Sequence, residues 1–483
     1  RRVLFRSVHL MENSLDEETK LVAADCLPSL VRIAKLSENV EGIETINYKQ
    51  FSREVCQKLW ISMEKEYEPE ILEDQARSLQ KVIEVAGDIY TEEELDGFYQ
   101  ICINHLQKSE IRKVQTPDVY DEEEEDKNDI EYLIKEEKEI EEQFTVQIAE
   151  IFGSIFKTHK KKALGIIQKL YDNYILKAID PQMPPKIIKF GIFLIDDAID
   201  HLGEFLPPNL LDTFYRILLS FRNHDVLEVR HAATYGIGAF ALCLKGNFIK
   251  YFDETIKVIT TVQEIKNPSE QMEDYEMTKE NVISAVGKML KVCWVNLPRD
   301  RLFTLLSYWL DHMPLVRDVI EGVIQHNFFT DIILSEPEFV LGTSFENLPK
   351  VLRIISMLYY EQKLLTTPEM MRKIIQIVQG FVQNETIKSH MGQAQLSPEE
   401  VKALYRDWSH SYDAVFSDGQ GYQLPCEVAA AFVAAGGAGP VLDVDASPGL
   451  VGAILRNISV EPIDGIDLSP DMQQNTRHQG HFR

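Results

Sequence analysis

Basic residues are scarce in this chain: 50 lysines and arginines face 77 aspartates and glutamates in 483 residues, a formal net charge of −27. Such a protein is repelled by phosphate backbones and anionic headgroups, which argues against direct binding of nucleic acid or of an acidic membrane and leaves basic proteins as natural partners. Cysteine is sparse too. The six (Cys26, Cys56, Cys102, Cys243, Cys293 and Cys426) lie far apart, form no Cys-x-x-Cys pair and mostly fall within apolar helical patterns. This excludes a disulfide framework or thiolate zinc site in favour of reduced, core-filling thiols, as in a cytosolic or nuclear protein. The twelve histidines are scattered, His478-x-x-His481 lies in a polar C-terminal end, and no metal site is expected. No run approaches the roughly 18 consecutive apolar residues of a membrane span, and no secretory signal pattern opens the chain. It begins Arg1-Arg-Val-Leu-Phe-Arg-Ser without methionine, directly in helical material, and is read as a fragment of a longer protein.

What is present is a repeating helix. The stretch Asp225-Val-Leu-Glu-Val-Arg-His-Ala-Ala-Thr-Tyr-Gly-Ile-Gly-Ala-Phe240 carries small residues inside an apolar pattern, and similar small residues recur at Ala24, Ala76, Ala149, Gly191, Ala233 and Ala285. The steps between them are 52, 73, 42, 42 and 52 residues. Units of the HEAT and armadillo type run about 40–47 residues per helix pair, so the shorter steps fit directly and the longer ones need insertions. The longest step holds the acidic run Asp121 to Asp126. Between Asp118 and Glu142 stand 14 acidic and 3 basic residues, −11 of the total −27. The pattern predicts an all-α HEAT-repeat solenoid over residues 1–387, with an acidic insertion at 118–130. Such a stack offers a long concave surface rather than a catalytic cleft, so binding is expected, and no catalytic residue is assigned.

Local signals place several helices. Tyr48 to Lys65 reads as an outer helix and Glu68 to Ala86 as the inner one, with Pro69 in its first turn and Gly87 at its C-terminus. Thr91 with Glu94 fits a capping box at the next outer helix. A helix is expected to resume after the acidic insertion through Ile148 to Phe156, and Pro184-Pro185 suits the first turn of another, Lys186 to Leu202. Leu211, Phe214, Leu218 and Phe221 form one apolar stripe facing the core. Asp225 and Arg230 are expected to cap and pair locally.

Residues 8 to about 390 resemble the C-terminal portion of the importin-β (karyopherin-β) family, nearest its importin β-3 branch. The resemblance rests on Leu15-Asp-Glu-Glu-Thr-Lys-Leu-Val-Ala-Ala-Asp-Cys-Leu-Pro28, the acidic insertion, Val229-Arg-His-Ala-Ala-Thr-Tyr-Gly-Ile-Gly238, Glu280-Asn-Val-Ile-Ser-Ala-Val-Gly-Lys288, Trp309-Leu-Asp-His-Met-Pro-Leu315 and Val340-Leu-Gly-Thr-Ser-Phe-Glu-Asn-Leu-Pro-Lys350, in that order. It implies a carrier that binds basic protein cargo and moves between cytoplasm and nucleus. In the intact protein it also implies a Ran-type small GTPase and the phenylalanine-glycine repeats of the nuclear pore as partners. The acids expected on the concave inner helices are Glu73, Asp74, Asp196, Asp197, Asp200, Glu228, Glu276 and Glu280, with Asn281 placed to hydrogen-bond an extended peptide backbone. A static scaffold is the competing reading of the same repeats.

Composition changes near Lys388, and residues 388–397 read as a linker. Beyond it, Gly439-Pro-Val-Leu-Asp-Val444 reads as a strand, Gly449 to Asn457 as a helix and Ile463-Asp-Gly-Ile-Asp467 as a second strand, the arrangement of a nucleoside-cofactor site. Residues 398–483 resemble the first half of a class I S-adenosylmethionine-dependent methyltransferase through Tyr405-Arg-Asp-Trp-Ser-His-Ser-Tyr-Asp413, Val441-Leu-Asp-Val-Asp-Ala-Ser-Pro-Gly-Leu450 and Asp464-Gly-Ile-Asp-Leu-Ser-Pro-Asp-Met472. The resemblance implies cofactor contacts from Asp443, Gly449 and Asp467. Asp445 and Ser447 stand where that family has loop glycines, and Pro448 where it has threonine, so neither S-adenosylmethionine binding nor catalysis is expected.

Overall fold

The structure, a computed structural model, describes residues 6–7, 9–10, 16–38, 47–115, 124–262, 272–360, 365–391, 424–444 and 450–466. Residues 1–340 with 354–377 form one compact unit, and 341–353 with 378–483 form a second. No helix among the described residues is long and apolar enough to cross a membrane.

The first unit is built from helix pairs. After α1 (Glu17–Ser37) come α2 (Tyr48–Lys65) with α3 (Pro69–Ala86), then α4 (Glu92–Gln115) with α5 (Glu124–His159). A less regular member, α6 (Leu164–Leu170) running on through a π-turn at Tyr171–Ile175, precedes α7 (Pro185–Leu202). The series continues with α8 (Pro208–Phe221) and α9 (Leu227–Leu244), α10 (Phe252–Val262) and α11 (Met272–Cys293), and α12 (Arg299–His312) and α13 (Val319–Ser335). The inner helices α1, α3, α5, α7, α9, α11 and α13 pack each on the next. This is the expected all-α solenoid.

Local chemistry sets the ends of these helices. The Glu94 amide donates to Thr91 Oγ1 at 3.2 Å and the Thr91 amide to Glu94 Oε2 at 2.8 Å, the reciprocal capping box predicted from spacing. Gly87 closes α3 at φ 77°, a left-handed conformation that glycine adopts without a Cβ penalty. The acidic segment departs from expectation. Helix α5 already begins at Glu124 rather than near Ile148, so only residues 118–123 of the insertion lie outside the described ones. A sequence dominated by glutamate, lysine, leucine and isoleucine has high helix propensity despite its charge.

Packing explains the small residues. Ala24, Ala76, Ala149, Gly191, Ala233 and Ala285 are all buried. A Cβ built on Gly191 would sit 3.0 Å from that of Ala178, and one on Gly238 of α9 would come 3.3 Å from Ala285 Cα of α11, so backbone meets backbone there. The predicted stripe Leu211, Phe214, Leu218 and Phe221 is buried throughout. Cys26, Cys56, Cys102, Cys243 and Cys293 are free thiols, and burial pushes Cys56 and Cys102 up to about 12. The side chain of Cys426 and both His478 and His481 lie outside the described residues.

In the second unit α14 (Leu424–Ala434) precedes β1 (Val441–Val444), α15 (Leu450–Asn457) and β2 (Ile463–Ile466). The strands pair in parallel, Val441 against Ile463 and Val444 against Ile466, over a core of Ala429, Leu455 and Ile463. The expected strand–helix–strand order is present. Among the described residues the sheet has these two strands alone. Of the expected linker 388–397, residues 388–391 belong to the helix Glu385–Met391, and the rest of it and the segment Tyr405 to Asp413 fall outside the described residues.

Two glycines should respond oppositely to alanine. At Gly236 a Cβ would stand against Asp196 Oδ1 and 2.8 Å from Leu218 Cδ1, whereas at Gly380, inside the helix Pro368–Gln383, it meets nothing within 4 Å. Gly236→Ala should lower stability by about 1–3 kcal/mol through overpacking, and Gly380→Ala should raise it by up to about 1 kcal/mol through helix propensity. Urea unfolding checks both; equal shifts would contradict the packing account.

Candidate functional site

The carboxylates predicted on the inner helices fall into distinct environments. Glu73 and Asp74 on α3 both pair with Arg77 one turn on, so one guanidinium offsets part of their combined charge within the helix. Burial, then the charge of Asp25, raises the Asp74 carboxyl above its usual range. Glu276 pairs with Lys279 at 3.1 Å. Glu228 lies in the first turn of α9, half-buried and with no ion pair among the described residues, where the helix dipole favours a negative charge.

Two predicted residues hold the fold rather than face a ligand. Glu280 accepts the amides of Val316, Arg317 and Asp318 at 2.9, 2.9 and 3.0 Å, fixing the turn that enters α13. Asn281 is 1% exposed, its amide 2.6 Å from His231 Nε2 and 3.4 Å from Asp318 Oδ2. It is therefore unable to reach a peptide backbone, contrary to expectation. The local pair Asp225–Arg230 is also replaced: the Arg230 guanidinium donates to the His224 carbonyl.

Asp196, Asp197 and Asp200 share α7, yet only one of them faces water. Asp196 is buried against Gly236 of α9, and neither of its oxygens has a hydrogen-bond partner. Burial, reinforced by Asp200 and Asp197, lifts its carboxyl well above the ordinary range and so favours the neutral form, which offers little charge to a ligand. That removes it from the expected charged surface. Asp197 is half-buried over Gly153 of α5 and is raised to about 8 by burial and by Glu150. Asp200 is exposed and accepts the Tyr235 hydroxyl at 2.8 Å.

Sequence reasoning missed what lies behind this helix. Lys288 Nζ of α11 sits 4.4 Å from the Tyr235 ring centroid and donates to Glu321 Oε1 of α13 at 2.9 Å, with both side chains almost fully buried. Ser284 donates to the other Glu321 oxygen, and Gln325 Nε2 donates to Ser284 Oγ at 3.2 Å. From Asp200 to Gln325 a polar seam therefore crosses four successive inner helices. The available signal was the separation of Ser284 and Glu321, 37 residues, close to one repeat. In the second unit the Asp443 side chain, Gly449 and Asp467 lie outside the described residues, so the predicted cofactor contacts have no described geometry.

These helix pairs define the chain as an α-solenoid, and comparison with known proteins adds to that class. Residues 71–177 match the Importin repeat 6 family. Over 88% of its length the chain is similar to a mutant of the karyopherin Kap121p, at TM-score 0.59 and 16% identity, covering 34% of that chain. It is similar to Kap121p bound to RanGTP at TM-score 0.56, 16% identity and 82% and 34% coverage. With Kap121p bound to Nup53p the values are 0.52, 18%, 78% and 34%. At such identity the likeness is one of fold, and the chain spans about a third of the length of those structures.

Asp197 makes stability depend on pH in a defined direction. Its folded value of about 8 exceeds the model-peptide value of 3.8, so its contribution is complete below about pH 4 and is lost as pH rises toward 8. Asp197→Asn should flatten the fall in urea midpoint between pH 5 and 8; an unchanged slope would contradict this assignment. Separately, Lys288→Met strands the buried Glu321 carboxylate and should cost about 3–5 kcal/mol, most of it recovered when Glu321→Leu is added. The double-mutant cycle measures this, and equal losses in the single and double variants would refute the coupling.

Proposed function

We propose that this chain is part of a nuclear transport receptor and that its inner-helix acids hold basic segments of protein cargo. The observation that carries the reading is the shared fold with Kap121p over most of the chain. The match of residues 71–177 to an importin repeat supports it, as does the acid excess. The solved relatives include Kap121p bound to RanGTP, Nup53p and Pho4p, and the proposal extends that kind of partner to this chain. In the longer protein it brings a Ran-type GTPase and pore phenylalanine-glycine repeats as further partners, with passage between cytoplasm and nucleus. Binding, not catalysis, is the activity.

The geometry narrows which acids can act. Asp196 is buried with its carboxyl raised well above the ordinary range, Glu280 is committed to backbone amides, and Glu73 and Asp74 share Arg77. Asp200 is exposed, and Glu276, although paired with Lys279, is more open to solvent than Glu73 or Asp74, so these two are the inner-helix acids best placed for cargo. Several such contacts together give electrostatic complementarity and fast encounter rather than one dominant anchor.

A fluorescent peptide rich in lysine and arginine should bind the chain with an affinity that falls steeply as salt rises, since exposed charges are screened over about 8 Å at physiological ionic strength. Duplex DNA should not bind. Asp200→Lys with Glu276→Lys should weaken the peptide more than deletion of residues 121–126, because Asp200 sits on a helix packed along its length whereas residues 124–126 stand at the very start of α5. Anisotropy titration decides it. A more damaging deletion would move the site to the acidic segment, and salt-independent binding would overturn the electrostatic mechanism. Displacement of the peptide by GTP-loaded Ran separates a carrier from a static scaffold.

A further inference from the structure

The two junctions that α7 makes with its neighbours are built around adjacent carboxyls. Asp197 lies against α5, where a Cβ built on Gly153 would stand 2.9 Å from its Cγ. Asp196 lies against α9, where a Cβ built on Gly236 would stand 2.9 Å from its Cγ. Each glycine thus leaves a notch in the facing helix, and each notch holds one carboxyl head. Neither oxygen of Asp196 has a hydrogen-bond partner, and Asp197 has none among the described residues. The junction of α11 with α13 also has a notch, at Gly287, but the head that fills it is bonded. Gln325 Nε2 donates there to Ser284 Oγ at 3.2 Å, beside the Lys288–Glu321 pair.

The groups that face the two carboxyls come from every side. Helix α5 contributes Glu150 and Lys157, with Glu84 of α3 behind them, and the turn after α5 contributes Lys160. Tyr235 of α9, Lys288 of α11, and Asp200 and His201 of α7 itself complete the set. Each of the three cations is engaged elsewhere. Lys157 pairs with Glu84 at 2.9 Å, Lys160 donates to the His201 carbonyl at 3.3 Å, and Lys288 pairs with Glu321 at 2.9 Å. An ionised carboxylate in either notch would therefore be buried beside other acids without a counter-ion, which is costly. In keeping with this, burial and then Glu150 raise Asp197 to about 8, burial and then Asp200 lift Asp196 well above its usual range, and burial and then Glu84 raise Glu150.

We propose that α7 is a proton-controlled hinge within the first unit: neutral Asp196 and Asp197 let the Gly236 and Gly153 notches close on α7, and their ionisation drives the heads toward water and parts α7 from α5 and α9. Because the notches flank one helix, their opening frees the helix pairs before α7 to move against those after it. The α9–α11–α13 junctions, whose polar heads are paired or bonded, stay closed. This device needs no partner and is independent of the carrier reading.

Hydrogen–deuterium exchange of the whole chain, read by mass spectrometry from pH 6 to pH 8, tests it. After correction for the chemical exchange rate, protection of α7 and of the facing stretches of α5 and α9 should fall about tenfold or more, because each carboxyl releases its proton on opening. Protection of α11 and α13 should hold. Asp197→Asn and Asp196→Asn keep a neutral side chain of the same shape, so each should reduce the fall and the pair should abolish it. Circular dichroism at pH 6 checks that the variants keep their helices. If one does not, the contrast between α7 and α13 in the unaltered chain still decides. Protection of α7 that stays flat across this range overturns the hinge. So does a fall of equal size in α13, which would report general loss of stability, or a fall that both folded asparagine variants retain in full.

Discussion

Everything in the first unit depends on how closely one inner helix can approach the next. Ala24, Ala76, Ala149, Gly191, Ala233 and Ala285 supply that closeness, each buried where a larger side chain would push neighbouring repeats apart. Because each helix pair touches mainly the pairs before and after it, no distant contact can compensate for a poor junction. The junctions also fix where polar groups go. Glycines at 153, 236 and 287 lie under Asp197, Asp196 and Gln325 of adjoining inner helices, so removing a Cβ on one helix makes room for a polar head from another.

That arrangement divides the acidic residues into two populations. One is structural: Glu321 is paired with Lys288, Glu280 is hydrogen-bonded by three backbone amides, and burial pushes Asp196 toward its neutral form. Buried charge is costly unless it is paired, bonded or titrated away, and the three cases use one solution each. The other population, Asp200, Glu276 and Glu228 among it, keeps contact with solvent or with a cavity. A net charge of −27 therefore overstates the charge that these inner-helix acids offer to a partner.

The second unit follows a different logic. Its parallel strands are joined through α15, so the pairing of Val441 with Ile463 depends on the helix packing Leu455 over them. Parallel pairing needs such a crossover, and the turn signals and apolar runs that announced it are local and strong. What such a unit could bind rests on Gly449, Asp467 and the Asp443 side chain, which share no described geometry.

The sequence by itself determined the helices and their order. The Tyr48–Lys65 helix, the Thr91–Glu94 capping box, the glycine stop at Gly87 and the small-residue rhythm are all set by interactions within a few residues, and they are legible for that reason. It underestimated the reach of α5, where propensity prevailed over charge repulsion. Only the tertiary structure decided which acids are exposed. Asp196 and Asp200 are one helical turn apart and equivalent in the sequence pattern, yet one is sealed against Gly236 and the other faces water beside Tyr235. Burial at a given position is imposed by a helix about one repeat away, and no periodicity within α7 carries that information.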